Sequence, residues 1–150
     1  MVLLLAVALV PFVQELTHQP AVRYAQSAAF VEDASVRLDR FDDVVGVDRL
    51  ERDGHLYGDK APLQPLLAAP AYAVARIVGA EPATVLRPQG NLGLWWVTLW
   101  STVVPLLAIA YLGVRVSERV VGRATAAQGT LAICAGTLLF AYGSQLYAHV

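Results

Sequence analysis

Leu92–Val114 is a run of 23 residues without a single charged side chain. A helix needs about 20 residues to cross roughly 30 Å of hydrocarbon, so a clean run of this length is what a bilayer demands. Two more uncharged stretches flank the chain: Met1–Val13 at the start, and a block from near Ala124 to Val150. The ionisable residues lie between the first two blocks. Of 12 acids, 11 fall within Gln14–Asn91, and so do 8 of the 11 basic residues. That segregation has a physical cause, because a charge at the bilayer centre costs roughly 2.5–3.5 kcal/mol or more.

Composition agrees. The 150 residues are 57% apolar and 15% charged, against about 45–50% and about 25% in a typical soluble domain. Whole-chain disorder is excluded, since disordered chains are poor in apolar residues. One cysteine, Cys134, excludes a disulfide scaffold. A formal net charge of −1 carries no signal for nucleic acid.

The expected fold is therefore all-α and integral to the membrane. It has about three transmembrane helices, at 1–13, 92–114 and 124–150, with a long extracytoplasmic first loop at 14–91. Trp95, Trp96 and Trp100 cluster at one end of the second block, where an interfacial aromatic belt belongs. Pro105 falls mid-span and predicts a kink, which membrane helices tolerate. A buried hairpin within a larger soluble core is the competing explanation. The first block is short: 13 residues reach only about 20 Å as a helix. It also lacks the basic start and small-residue cleavage site of a signal peptide. Either the start lies inside a longer helix, or the helix extends to about His18. Together with the apolar end, this predicts a piece of a longer membrane protein. Arg115, Arg119 and Arg123 fill the link at 115–123. The positive-inside rule places that link in the cytoplasm and the long loop outside; the competing topology puts the three arginines outside, since the long loop has basic residues of its own. The expected location is the plasma membrane, as a multi-pass protein in contact with membrane lipids.

The loop has structure of its own. Ala21–Val31 reads as a short helix after Pro20. Asp33–Asp59 is dense in charge and contains Gly46, Gly54 and Gly58, which predicts an irregular or weakly β-paired segment. Leu63–Val78 is apolar, with Leu66, Leu67, Pro70, Val74, Ile77 and Val78 on one helical face. Its length and prolines fit a helix on the outer membrane surface better than a span. A core helix of a small outer domain is the alternative.

Common soluble motifs are absent: there is no GxGxxG, P-loop, HExxH or CxxC. Asp48, Asp53, His55 and Asp59 form a loose acidic set with one histidine, able in principle to bind a divalent ion through oxygen. The spacing matches no metal loop, and a solvated acidic surface is the favoured reading. No metal site is assigned, and the need for a divalent metal is left open.

The segment His55-Leu56-Tyr57-Gly58-Asp59-Lys60-Ala61-Pro62-Leu63-Gln64 is more specific. Tyr57–Gln64 resembles the Tyr-x-x-Lys-Pro-Pro-Leu-x stretch in the first outer loop of polyprenyl-phosphate-sugar glycosyltransferases. These are the multi-spanning GT-C enzymes, with protein O-mannosyltransferase-like and aminoarabinose-transferase-like members. Arg23-Tyr24-Ala25 resembles the Arg-Tyr-Ala that opens the first outer helix there. The order of elements agrees, and Tyr142 and His149 look like the polar outer end of the family's third helix. The resemblance runs over essentially the whole chain, which would be the N-terminal part of such an enzyme.

The resemblance implies transfer of a sugar from a polyprenyl phosphate to an outer acceptor, which could be a protein, a glycan or a lipid. The donor is a substrate, and no cofactor is firmly implied. Lys60 matches the family's phosphate-contacting lysine, and Arg23 stands where a second donor-site cation would be useful; surface pairing with nearby carboxylates is the alternative for both. Tyr24, His55, Tyr57 and Pro62 complete the motif. The family's acidic pair before Arg-Tyr is missing, because Pro20 and Ala21 occupy those positions. Transfer to a hydroxyl needs a carboxylate base. Asp39 and Asp48 are the leading replacements, with Glu15 behind them; for each, a solvated loop carboxylate is the plainer reading. The alternative function is a small non-catalytic multi-pass membrane protein whose outer loop is an interaction module. A transporter fragment is a third, weaker option, since no ionisable group lies inside the spans.

Overall fold

The uncharged run does become a helix, and a longer one than its charge pattern implies. In the computed structural model, which describes residues 1–11, 18–84, 92–143 and 146, it runs without a break from Leu92 to Val121. Three pieces compose it: α5 (Leu92–Thr98), a π turn (Leu99–Val103) and α6 (Val104–Val121). Pro105 explains the π turn. Proline lacks an N–H and clashes with the carbonyl four residues back, and a wider turn relieves both problems. The Val104 N–H accordingly bonds back to the Leu99 carbonyl. Ser101 Oγ and Thr102 Oγ1 each donate to the carbonyl four residues earlier, at 2.7 Å, so these two hydroxyls are satisfied within the helix.

Among the described residues this is the one helix long and apolar enough to cross a membrane. Only 28% of its most apolar window is buried. Ile109, Leu112, Val116 and Val120 all face outward.

The expected link at 115–123 is not a link. Arg115 and Arg119 ride on the last turns of α6, and only Gly122 separates it from α7 (Arg123–Gly136). Gly122 sits at φ 79°, a conformation open to glycine, so a single residue reverses the chain. Gly113 of α6 then faces Thr130 of α7. The expected continuous helix over 124–150 also differs. It breaks at Thr137, which is extended and whose Oγ1 accepts the Leu139 N–H at 3.3 Å. Thr137 thereby caps a short α8 (Leu138–Gly143). At the other end, α1 covers Val2–Leu9. The possible extension of that helix toward His18, Glu15 with it, and His149 lie outside the described residues, as do all side-chain facts for Tyr142.

The two helices expected in the polar block are present, as α2 (His18–Glu32) and α4 (Leu63–Ile77). They pack face to face through small side chains. Ala21, Ala25 and Ala28 are buried on one helix, and Ala68 and Ala75 on the other. Small residues at i, i+4 and i+7 spacing let helix backbones approach closely. Tyr24 and Tyr72 lock the seam, edge to face at 5.3 Å. The apolar face of α4 named above turns away from this core: Leu66, Leu67, Val74, Ile77 and Val78 are all exposed.

The all-α expectation needs one correction. Between α2 and α4 lie a 3-10 turn (Asp39–Phe41), a single turn α3 (Asp42–Val45) and an antiparallel hairpin of β1 (Arg49–Arg52) with β2 (His55–Gly58). Asp53 and Gly54 form its two-residue turn with φ 54° and 75°. Asp-Gly is the pairing that such a turn prefers, and it outweighs the surrounding charge density.

Two apolar clusters result. One joins α2, α3, α4 and the start of α5, around Tyr24, Phe41, Tyr72, Leu94 and Val97. The other joins α1, the π turn, α6 and α7, around Leu5, Leu9, Val103, Leu106, Ala110 and Cys134. The long helix belongs to both. Trp95 ties the two ends together, its indole N–H donating to the Val10 carbonyl at 2.7 Å.

Candidate functional site

Gly58 decides where the motif residues sit. Its Cα faces α2 so closely that a Cβ there would lie 2.1 Å from Gln26 Nε2. The bare backbone lets the end of β2 press onto α2. The chain then bends through Asp59 and Lys60 before α4 begins after Pro62. Lys60 is thereby carried over Arg23, 37 positions earlier in the sequence. Gln19, Val22, Arg23, Gln26, Asp48, Asp59 and Lys60 line one small pocket, so tight that it admits no water-sized body.

Arg23 is the unusual member. It is only 2% exposed, and its Nε and Nη1 have no hydrogen-bond partner among the described residues. Burial pulls the guanidinium pKa down from its ordinary value, and the nearby Asp59 carboxylate opposes that shift. A buried cation with unused N–H groups is costly, and an anion at those groups offsets the cost. Lys60 Nζ donates to Asp59 Oδ2. Asp48, on the approach to β1, completes the lining.

The structure thus brings Arg23, Lys60 and Asp48 together. Tyr24 lies on the same helix but points the other way, into the α2–α4 seam. There it is fully buried, and its phenol is pushed well above its usual pKa by desolvation. Tyr57 pairs with Leu50 in the hairpin and bridges to Arg37. Pro62 caps α4.

Asp39 and His55 form a separate pair. Asp39 Oδ2 meets His55 Nδ1 at 2.8 Å, and Oδ1 accepts the Leu56 N–H at 2.7 Å. The Leu56 N–H first, and then His55, hold the Asp39 carboxyl below its ordinary pKa. A carboxylate stabilised in its charged form is a weaker base. Asp39 is better placed to pin the hairpin to the 3-10 turn than to take a proton. This pair borders an open polar groove with Asp42, Arg49 and Glu51.

Asp48, Asp53, His55 and Asp59 do not assemble as a set: Asp53 is at the hairpin turn, His55 is held by Asp39, and Asp59 faces Lys60. Among the described residues no three His, Cys, Asp or Glu side chains come together as a metal site. Sequence reasoning missed Asp59 and Gln26 as part of the Arg23–Lys60 site. The adjacent Asp59-Lys60 pair was a visible signal, whereas the approach of Gln26 depends on packing.

A second feature lies between α4 and the start of the long helix. Leu67, Pro70, Ala71 and Val74 of α4 face Trp96 and Trp100 across an apolar cleft of about 420 Å³. Trp96 and Trp100 stack edge to face at 5.7 Å. Comparison with protein-family models, curated proteins and solved structures returns no match for this chain.

Proposed function

We propose that this chain is the N-terminal part of a membrane glycosyltransferase of GT-C type, taking a sugar from a polyprenyl phosphate on the outer face. The observation that carries the reading is the buried Arg23 guanidinium, with two unpartnered N–H groups, beside Lys60. Two cations from distant positions that line one pocket suit a phosphate leaving group, whose developing charge they would stabilise once the pocket opens to admit it. The apolar cleft of α4 and the tryptophans supports a lipid-linked donor, because a prenyl chain needs an apolar surface near the headgroup. Asp48, which shares the pocket with both cations, takes precedence over Asp39 as the carboxylate base. Glu15 stays a candidate outside the described residues. The protein is multi-pass, with its polar block outward, in the plasma membrane. The acceptor is a protein, a glycan or a lipid, and no nucleic acid is involved.

A second reading is a non-catalytic membrane protein with an outer interaction module; the open polar groove beside Asp39 and His55 favours it. One experiment separates the two. The full-length reading frame, expressed in membranes, is assayed for sugar release from a panel of polyprenyl-phosphate donors. Transfer that depends on Lys60 supports the enzyme, and no transfer across the panel overturns it.

A further inference from the structure

Asp59 has no part in the chemistry above, yet its carboxylate is bonded to Lys60 and lies close enough to Arg23 to act on its charge. Its Oδ2 takes the Lys60 ammonium, and its charge reaches the Arg23 guanidinium. The pocket therefore holds two cations, Arg23 and Lys60, and two carboxylates, Asp48 and Asp59. Its formal charge is balanced before any ligand enters. A phosphate arriving at Lys60 meets a like charge already bound there, and like charges within a few ångströms oppose one another.

Asp59 is also free to leave. It lies in the bend between β2 and α4, outside regular structure. Gly58, which anchors that bend against Gln26, precedes it and does not depend on the Asp59 side chain. Arg23, by contrast, is fixed within the buried face of α2. We propose that Asp59 is an internal stand-in for phosphate, bonded to Lys60 and balancing the charge of Arg23 until a phosphate-bearing ligand displaces it, and thereby setting the site's affinity. The proposal rests on the donor-phosphate reading of Arg23 and Lys60.

The test is equilibrium binding to the full chain in lipid nanodiscs, with inorganic phosphate and farnesyl phosphate as separate probes. Asp59→Asn removes the competing charge and keeps the shape. It should tighten binding about fivefold, the scale of a partly exposed ion pair. Lys60→Ala and Arg23→Gln should weaken binding, and Asp53→Asn at the hairpin turn should leave it unchanged. A gain with both probes assigns recognition to the phosphate group, and a gain with farnesyl phosphate alone assigns it to the lipid-linked form. If Asp59→Asn binds no tighter while Lys60→Ala binds more weakly, the stand-in role is wrong and the phosphate site stands. If neither Lys60→Ala nor Arg23→Gln alters binding, the phosphate site fails and the stand-in role fails with it. Circular dichroism on each variant identifies misfolding, and Asp59→Ser replaces Asp59→Asn should the latter not fold.

Discussion

The Tyr72 hydroxyl donates to Glu32 Oε1 at 2.6 Å, joining the end of α2 to the middle of α4 across 40 positions of sequence. The same oxygen accepts Arg76 Nε at 3.1 Å, and Oε2 accepts Arg40 Nη2 at 2.9 Å. Burial and the carboxylate together push the Tyr72 phenol well above its usual pKa, so it stays a donor. Tyr72→Phe removes the bond to Glu32 and leaves the Ala83 N–H without its phenol acceptor. The expected loss is about 1–2 kcal/mol of stability, read from denaturant unfolding in detergent. A variant as stable as the parent would show that this seam does not depend on the phenol's hydrogen bonds.

Asp39 predicts a pH dependence. Its folded-state pKa lies below the ordinary 3.8. The stability it contributes is therefore present above that ordinary value and is lost as pH falls through the lower, folded value. Asp39→Asn should be less stable than the parent near neutrality, and the gap should close under strongly acidic conditions. A gap of constant size from neutral to acid pH would remove the charged Asp39 from the hairpin's anchoring.

Gly58→Ala tests the contact that builds the pocket. The new Cβ would meet the Gln26 amide, and overpacking of this kind costs typically about 1–3 kcal/mol. Thermal unfolding should show the loss, and Gln26→Ala in the same chain should restore much of it. Failure of that rescue would mean that the β2–α2 approach is not what the methyl group disturbs.

Lys60→Ala in the full-length frame should abolish sugar transfer and leave membrane insertion intact. Asp48→Asn should cost more turnover than Asp39→Asn, since Asp48 shares the pocket with Arg23 and Lys60 and Asp39 does not. Equal rates for all three variants and the parent would remove these residues from the reaction.

The long helix can be tested with a charge. Ile109 is 59% exposed. In a soluble protein Ile109→Lys would be harmless, because its surroundings would be water. In a membrane the ammonium costs roughly 2.5–3.5 kcal/mol near the helix centre. Insertion of Leu92–Val121 into microsomes, followed by glycosylation tags at either end, should fall with the substitution.

Local pattern made much of the fold legible. The uncharged run predicted the long helix, the breaker-free stretch after Pro20 predicted α2, and the apolar face of Leu63–Val78 predicted both α4 and its outward-facing side chains. These features depend on spacing along a single element, which sequence carries directly. Errors arose where one residue reset the local geometry. Gly122 shrank a nine-residue link to one residue, and Thr137 capped a new helix inside an apolar run, whereas the disturbance expected at Pro105 is present as a π turn.

The sequence by itself determined the partition: most of the charge in one block and long uncharged runs in the others, from which about three spans were expected, whereas the structure has one helix of spanning length among the described residues. Desolvation imposes that partition residue by residue, whatever the chain does elsewhere. Only the tertiary structure decided that Lys60 and Asp48 meet Arg23, and that Asp39 belongs to His55 instead. Those meetings depend on the close approach of Gly58 to Gln26 and on the alanine seam between α2 and α4. Contacts across tens of residues are set by packing, and no spacing rule along the chain encodes them.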